Sequence, residues 1–355
     1  MSVLTGLQAT RILAGAGHDA TAIYWSKRGD FHQVAPDLEA AAFAEGAPSG
    51  AQALDLIPGS EGGFATTGRL GRRSVIDISA VLNCCHGGPG EDGTLQGLLD
   101  LAGVRYTGPS QAGAALGMDK LAFGAVAAAV GLRTFPRWVL TTEGPAPGGD
   151  GPFIVKPRFG GSSIGIEIVD DMGTAQALVR SSPHLGDGAV VESYLPDSFD
   201  LEISVRTHPQ IAVSAIAKPL RTVDDGQILS YGDKYLAGEG AEGMASTPRE
   251  LPADIPDAIS KEVAEAARQL VDAAALRSLA RVDFLLDGDD LYVNEVNTIP
   301  GSLSLYLWEA AGVSKAEVLE TMLAEAVETP PRRFSTEGAD GTALRAAGSI
   351  ASKLA

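Results

Sequence analysis

Apolar residues in the first hundred positions form short runs with two different spacings. Helical spacing predicts helices over 4–14 and 91–102, and short apolar runs predict strands over 20–25, 80–85 and 104–107. Positions 34–73 are rich in Ala, Gly and Pro without a clear period, so we expect loops around short helices there. Because strands alternating with helices favour βαβ connections, we expect a parallel sheet in this region.

Stronger signals follow in the rest of the chain. Pro109-Ser110 is a typical helix start, and the apolar positions after it predict a helix to about residue 130. Gly and Pro in 141–151 indicate a linker. We further predict two strands around a Gly/Ser loop over 153–169, an amphipathic helix over 259–274 and a hairpin over 280–297. Pro330-Pro331 marks the end of the packed body.

The charge and the cysteine content limit the classes of binding partner and the cellular compartment that we expect. The chain has 27 Lys and Arg against 45 Asp and Glu, a formal net charge of −18. A surface of this sign repels nucleic acid and anionic membranes, so we expect neither as a partner. Cys84 and Cys85 are adjacent, which suits buried thiols in a reducing compartment better than a disulfide. Without a signal-peptide pattern or a membrane-spanning apolar stretch, we expect a cytoplasmic protein.

The predicted hairpin carries four polar residues that alternate with apolar ones. If Gly288-Asp-Asp forms a three-residue connection, Asp283 lies opposite Glu295 and Arg281 opposite Asn297, all on one face. Two carboxylates and an amide oxygen suit Mg²⁺. A solvated face on which Arg281 simply pairs with Asp283 explains the same spacing.

A lysine ends the apolar run before the Gly/Ser loop, in Lys156-Pro-Arg-Phe-Gly-Gly-Ser162-Ser163-Ile-Gly165. Backbone N–H groups of such a loop can cradle phosphate while the lysine supplies charge. The Walker pattern is absent because no Lys-Ser/Thr follows the glycines. A flexible hairpin loop without a ligand is the alternative.

Three further groups carry weaker signals. His86-Gly-Gly-Pro-Gly-Glu91-Asp-Gly follows a predicted strand, at the end where ligands bind parallel sheets, although a structural His and ordinary first-turn acids explain it equally. Glu192 lies at a predicted strand end with Glu202 beyond it, and an acceptor there can bind an adenine amino group, although an ordinary surface Glu explains the pattern more simply. Lys234-Tyr235 is uninformative without context.

Taken in order, these motifs resemble the D-alanine–D-alanine ligases of the ATP-grasp superfamily, from about Ser2 to residue 325. The order is His-Gly-x-x-Gly-Glu-Asp-Gly, Met-Asp-Lys, Lys-Pro-x-x-x-Gly-Ser-Ser-x-Gly, Lys-Tyr, Arg-x-Asp and Glu-x-Asn-Thr-x-Pro-Gly. The resemblance implies an ATP-grasp fold of mixed α/β and α+β type. We expect an N-terminal parallel-sheet domain over 1–115, a central lid over 116–206, a C-terminal domain over 207–329 and a tail over 330–355.

The resemblance also implies roles for individual residues. The implied ATP-binding set is Lys120, Lys156, Ser163, Glu192, Leu195, Glu202 and Lys234. The implied metal ligands, for two Mg²⁺ or Mn²⁺ ions, are Asp283, Glu295 and Asn297. The implied catalytic set, which orders the first substrate or faces the developing oxyanion, is Ser162, Tyr235, Arg281 and Gly301. The implied substrate-binding set is His86, Glu91 and Ser304.

The implied reaction joins two molecules of D-alanine with consumption of ATP, through an acyl phosphate, for peptidoglycan precursor synthesis and hence cell wall biogenesis and cell shape. The family suggests a homodimer. Tyr235 favours an amine acceptor, since depsipeptide-forming relatives tend to carry His there. A loop around 231–243 is expected to close over the site and exclude water.

Two departures from the family pattern affect the expectations. The family opens with a strand and a Gly-Gly-x-Ser-x-Glu turn, whereas this chain begins with Met1-Ser2-Val3, so we expect its coding sequence to extend upstream. The segment after Gly301 is also shorter than in relatives, which leaves Ser304 as the candidate for the second substrate's carboxylate. The alternatives are an ATP-grasp ligase of other amino acids and a nucleotide-binding relative without activity.

Overall fold

The computed structural model describes residues 1–59, 61–68, 71–143, 151–161, 163–220, 248–332, 341–342 and 345. Within them the α-helices span Ser2–Gly15 (α1), Gly88–Glu91 (α2), Thr94–Leu101 (α3), Gln111–Met118 (α4), Lys120–Ala129 (α5), Met172–Ser181 (α6), Asp257–Ala273 (α7), Leu305–Ala310 (α8) and Lys315–Glu328 (α9). The strands span Ala22–Trp25 (β1), Phe31–Val34 (β2), Gln52–Ile57 (β3), Gly63–Thr67 (β4), Arg73–Val75 (β5), Trp138–Leu140 (β6), Phe153–Pro157 (β7), Glu167–Val169 (β8), Ala189–Ser193 (β9), Phe199–Arg206 (β10), Ala212–Pro219 (β11), Arg249–Glu250 (β12), Leu279–Asp287 (β13) and Asp290–Asn297 (β14). No helix in the described part of the chain is both long and apolar enough to cross a bilayer.

The N-terminal sheet is antiparallel, and the expectation of a parallel sheet is wrong for its five strands. Strands β1 to β5 follow one another in spatial order, and each pairs antiparallel with the next. Short connections such as 26–30 allow only hairpin pairing, because a parallel crossover needs a dozen or more residues. The expected strand over 80–85 contributes one parallel bridge, between Val81 and Tyr106.

The helix expected from 110 to 130 is instead two helices separated at Asp119. The Ser110 side chain accepts from the Gly113 N–H and caps α4. Asp119 has an extended backbone, and its carboxylate accepts from the N–H groups of Leu121 and Ala122, which caps α5. The break places Lys120 in the first turn of α5.

Two antiparallel sheets follow in the second half of the chain. Strands β6, β9, β7 and β8 form a four-stranded sheet, and β12, β11, β10, β13 and β14 form a five-stranded one. Strand Phe199–Arg206 lies before the expected domain boundary at 206, yet it pairs with Leu279–Asp287 in the second sheet. The domain boundaries remain a prediction, and this pairing favours a boundary between 193 and 199.

Helix α7 covers one face of the five-stranded sheet with the apolar stripe read from the sequence. Val263, Ala267 and Leu270 are fully buried, against Val282 and Phe284 of β13. Full burial of a side chain of this size contributes about 1.5–3 kcal/mol. The opposite face of β13 carries the polar residues of the hairpin, so α7 holds the sheet that presents them.

Candidate active site

The predicted polar face of the hairpin is present. Arg281 lies opposite Asn297, and Asp283 lies opposite Glu295. Arg281 donates from Nε and Nη2 to the two oxygens of Asp283, both at 2.7 Å. The Asn297 amide lies 3.0 Å from Asp283 Oδ2. The pair read as an alternative from the sequence therefore forms, but the face is not solvated, since Arg281 and Asp283 are 5% and 7% exposed.

This register depends on a bulge that the sequence did not reveal. Asp287 pairs with Asp290, so the connection has two residues and not the three expected. Without a bulge, the two-residue connection would pair Glu295 with Val282 and turn it away from Asp283. The extra residue Asn294, which lies between Val293 and Glu295 and has no partner on β13, restores the pairing. A bulge bends the strand and redirects its side chain, and here it presents Asn294 to the adjoining cleft.

On the hairpin face two carboxylates, Asp283 and Glu295, accompany one arginine, Arg281. Burial raises the pKa of Asp283 to about 7, Arg281 opposes this, and the charges of Glu202 and Glu295 add to it. Burial disfavours the Arg281 cation, yet Asp283 and Glu202 hold its pKa above the usual value. Buried carboxylate oxygens beside an amide oxygen are the donor set that Mg²⁺ prefers. Among the described residues, no group of three His, Cys, Asp or Glu side chains is arranged for a metal.

A cleft between the two sheets collects most of the expected ATP-binding residues. Lys120, Lys156, Ser163, Glu192 and Leu195 all line it. Glu295 of the hairpin lines it too, with its Oε2 3.7 Å from Lys120 Nζ. Lys120 also donates to the carbonyl oxygen of Gly160, so the glycine-rich segment after β7 lies against the lysine.

Arginine 137 lies behind this cleft and was missed by the sequence reasoning. Its Nε donates to Glu192 Oε1, while Lys156 Nζ donates to Glu192 Oε2 at 2.8 Å. Burial would raise the pKa of Glu192, but the charges of Lys156 and Arg137 lower it to about 2, so the carboxylate is ionised. The only sequence signal for Arg137 is a lone cation beside the apolar β6.

A second ion pair joins the start of α5 to the segment after β7. Arg158 donates from Nε and Nη2 to Asp119 at 2.8 and 2.6 Å. The Lys120 N–H donates to the Arg158 carbonyl oxygen at 3.1 Å. Bidentate pairs of this kind fix orientation as well as distance. They therefore hold Lys120 against the four-stranded sheet.

Comparison with known proteins accounts for this arrangement. Residues 1–109 match the family model described as D-ala D-ala ligase N-terminus, and residues 150–324 match the one described as D-ala D-ala ligase C-terminus. A D-alanine–D-alanine ligase of Bradyrhizobium sp. (strain ORS 278) is 30% identical over 294 residues, which are 79% of this chain and 78% of the relative. One from Nocardia farcinica (strain IFM 10152) is 34% identical over 263 residues, 70% of each chain. The chain belongs to the D-alanine–D-alanine ligase family.

Solved structures confirm the ATP-grasp fold. The D-alanine–D-alanine ligase from Coxiella burnetii superposes with a TM-score of 0.73 at 19% identity and covers 97% of this chain and 94% of that one. The VanG D-Ala:D-Ser ligase from Enterococcus faecalis gives a TM-score of 0.72 at 20% identity and covers 92% of this chain and 95% of that one. At this identity the likeness concerns the fold, which proteins of different acceptor specificity share.

His86 and Glu91, expected to bind substrate, hold the backbone of Ile299 in this family member. His86 Nδ1 lies 2.6 Å from the Ile299 carbonyl oxygen, and Glu91 Oε1 accepts from the Ile299 N–H at 2.9 Å. The other polar atom of each side chain is also hydrogen-bonded. His86 Nε2 lies 2.8 Å from Thr5 Oγ1, and Glu91 Oε2 accepts from the Gly87 N–H at 2.8 Å. These side chains thus place the segment that leads to Gly301.

The shortened segment after Gly301 has an unusual backbone. Ser302, Leu303 and Ser304 have positive φ angles of 50°, 49° and 48°. Such conformations cost energy for residues other than glycine and often accompany binding sites. Ser304 is fully buried, and among the described residues its Oγ has no hydrogen-bond partner.

Glu202 lies away from the cleft where the sequence placed it. Its Oε2 accepts from the Tyr306 hydroxyl at 2.9 Å, and its Oε1 lies 3.5 Å from Arg281 Nη1. Asp200, two residues earlier on the same strand face, lines the cleft opposite Leu285. Because side chains two apart share a face, the motif spacing did not distinguish the two acids.

Three expected site residues, Ser162, Lys234 and Tyr235, lie outside the described residues, as does the loop expected to close over the site. Ser163, next to one of them, is described, with a positive φ of 58°.

Proposed function

We propose that this protein is an ATP-dependent D-alanine–D-alanine ligase that makes the dipeptide through an acyl phosphate, for peptidoglycan precursor synthesis. The observation that carries the proposal is the junction of the Arg281, Asp283, Glu295 and Asn297 face with the cleft. Glu295 belongs to both, through its contact with Lys120. Charges that suit a metal–triphosphate unit therefore adjoin an arginine that suits an oxyanion.

In this proposal the cleft binds ATP. Lys120 and Lys156 contact the phosphates, helped by the backbone around Ser162 and Ser163 and by Lys234. Glu192 and the Leu195 backbone contact the adenine. Asp200, in place of Glu202, contacts the ribose.

Asp283, Glu295 and Asn297 would hold the divalent cations, Mg²⁺ or Mn²⁺, which when bound offset charge on the transferring phosphoryl group. The two carboxylates and the amide gathered on this face support that role. A rotation of the Asn297 amide group would present its oxygen to a metal, in place of the nitrogen that lies 3.0 Å from Asp283 Oδ2.

The chain's own residues position and neutralise the reactants. A carboxylate oxygen of the first D-alanine attacks the γ-phosphorus and ADP leaves, after which the amine of the second attacks the acyl carbon and phosphate leaves. Arg281 and the Gly301 N–H would stabilise the oxyanion of the tetrahedral intermediate. Ser162 and Tyr235 would order the first substrate and the closing loop. Position can contribute about 7–11 kcal/mol to such a reaction.

His86 and Glu91 would act on the substrate through Ile299 and the backbone that leads to Gly301. Ser304 would bind the carboxylate of the second substrate. We also propose a cytoplasmic homodimer, on family grounds, and a central lid and C-terminal domain that grip ATP between the two sheets.

An acceptor other than D-alanine is the second candidate. Tyr306 lies in the shortened segment, and its hydroxyl contacts Glu202, which in turn approaches Arg281. A carboxylate beside the proposed oxyanion arginine changes the charge near the acceptor. This arrangement favours testing several acceptors and not D-alanine alone.

The test measures phosphate release from ATP and Mg²⁺, with mass detection of the product. D-alanine, L-alanine and no amino acid are compared first, and D-alanine with D-serine, glycine or D-lactate second. Asp283→Asn should abolish release, whereas Asp287→Asn, four residues away at the turn end of the same strand, should not.

D-alanine-dependent release with D-alanyl-D-alanine as product supports the proposal. A mixed product at higher rate supports the second candidate. Release that needs no amino acid, or equal release in both variants, contradicts the assignment of this site.

A further inference from the structure

Arg137 connects three elements that surround the nucleotide cleft. Its side chain is 3% exposed. Nε donates to Glu192 on β9, Nη1 donates to the Lys120 carbonyl oxygen at 2.8 Å at the start of α5, and Nη2 donates to the Asn294 carbonyl oxygen at the bulge of β14. All three contacted residues line the cleft, although Arg137 does not.

A glycine in α5 makes room for this guanidinium. A Cβ built on Gly124 would lie 2.6 Å from Arg137 Nη1. Glycine is a poor helix former, so its presence at a buried position inside a helix calls for a packing reason. The close approach of Arg137 supplies that reason, because any larger side chain at position 124 would occupy the space of the guanidinium.

The contacts of Glu192 determine how many donors of the Lys156 ammonium group remain for a ligand. Lys156 Nζ donates to Glu192 Oε2 at 2.8 Å and lies 3.3 Å from Asn294 Oδ1. An ammonium group has three donors, so a third remains for a ligand in the cleft that Lys156 lines. Without Arg137, both oxygens of a buried carboxylate would need charge compensation from the lysine alone.

We propose that Arg137 is a positioning residue for nucleotide binding, which occupies one oxygen of Glu192 and so keeps the Lys156 ammonium available to phosphate. In the buried cluster of Arg137, Lys156 and Glu192, two cations face one carboxylate, and the remaining positive charge lies on the side chain that reaches the cleft. This inference rests on the proposed nucleotide site but not on the identity of the amino-acid substrates.

The experiment measures equilibrium dissociation constants for ATP and for adenosine, by competition with a fluorescent ATP analogue in the presence of Mg²⁺. The ATP-to-adenosine ratio of affinities, which is the dissociation constant for adenosine divided by that for ATP, reports the contribution of the phosphates. In Arg137→Met we expect ATP to bind at least about tenfold more weakly, while adenosine changes less than about threefold. Arg133→Met is the matched control, because Arg133 is half exposed, pairs with Asp290 and lies outside the cleft.

Two further variants separate this role from simple structural support. Arg137→Met combined with Glu192→Gln removes the carboxylate that captures Lys156, and should restore much of the ATP-to-adenosine ratio lost in Arg137→Met. Gly124→Ala keeps the arginine and favours the helix, but displaces the guanidinium, and should lower the ratio by a smaller factor.

Equal weakening of ATP and adenosine in Arg137→Met, or a ratio that Glu192→Gln fails to restore, would overturn the inference. An unfolded Arg137→Met protein leaves Gly124→Ala to decide it, and an unchanged ratio in that variant also overturns it. ATP binding without turnover of D-alanine would contradict the proposed reaction and not this role of Arg137. A wild-type protein that binds no ATP would contradict both.

Discussion

The burial of His86 makes the stability of this protein depend on pH. The Ile299 carbonyl oxygen can only accept, so His86 Nδ1 carries the hydrogen and Nε2 accepts from the Thr5 hydroxyl. Both hydrogen bonds form with the neutral imidazole ring, whereas a protonated ring has no nitrogen left to accept from Thr5. Burial, together with the charges of the N-terminal amino group and of Arg281, lowers the pKa of His86 to about 4, although the bond to Ile299 opposes this shift.

The direction and size of this pH dependence follow from the difference between the pKa of His86 in the folded state and in the unfolded state. The pKa in the folded state lies below the value of 6.5 taken for free histidine, so the folded state binds the proton less readily than the unfolded state. The stabilisation is complete above pH 6.5 and is lost as the pH falls towards 4. A lowering from 6.5 to about 4 corresponds to about 3 kcal/mol in the free energy of unfolding, and about 2 kcal/mol of that is lost by pH 5.

The assay is urea unfolding of the wild type and of His86→Gln at pH 8, 7, 6 and 5. Glutamine keeps a donor and an acceptor but does not titrate. Asp283, whose raised pKa acts in the opposite direction, remains in both proteins and cancels from their difference. We expect the wild type to exceed the variant at pH 7 and this advantage to shrink by about 2 kcal/mol at pH 5. A constant difference across this range would refute the reasoning.

Three other substitutions test separate parts of the structure. Asp119→Ala should lower the free energy of unfolding by about 1–2 kcal/mol, because it removes the cap of α5, and Asp119→Asn should lose less; thermal melts of both check this. Glu295→Gln should raise the Mg²⁺ concentration for half-maximal phosphate release by about 10–100-fold, while Asp287→Asn leaves it unchanged; a Mg²⁺ titration with an equal effect in both would contradict the metal site. Trp308→Phe should cost about 1–3 kcal/mol of stability with little effect on ATP affinity, because it leaves the buried Ser204 hydroxyl without its 3.0 Å donor; urea unfolding and nucleotide binding together decide it.

The sequence by itself determined the family, the apolar stripe of α7 and the composition of the hairpin face. These follow from periodic or ordered patterns, because side chains two apart on a strand share a face whatever surrounds it. The opposition of Asp283 and Glu295 was predicted correctly, although through a turn of the wrong length.

Tertiary structure decided where the polar groups find their partners. The bulge at Asn294 corrects the register of the hairpin, and neither the turn nor the strand pattern encodes it visibly. Arg137 donates hydrogen bonds to acceptors on three elements that are separated in the sequence. His86 and Glu91 bind the backbone of Ile299, more than 200 positions away. Local periodicity reports which face a residue occupies, but the choice of partner depends on long-range packing, which only the folded chain supplies.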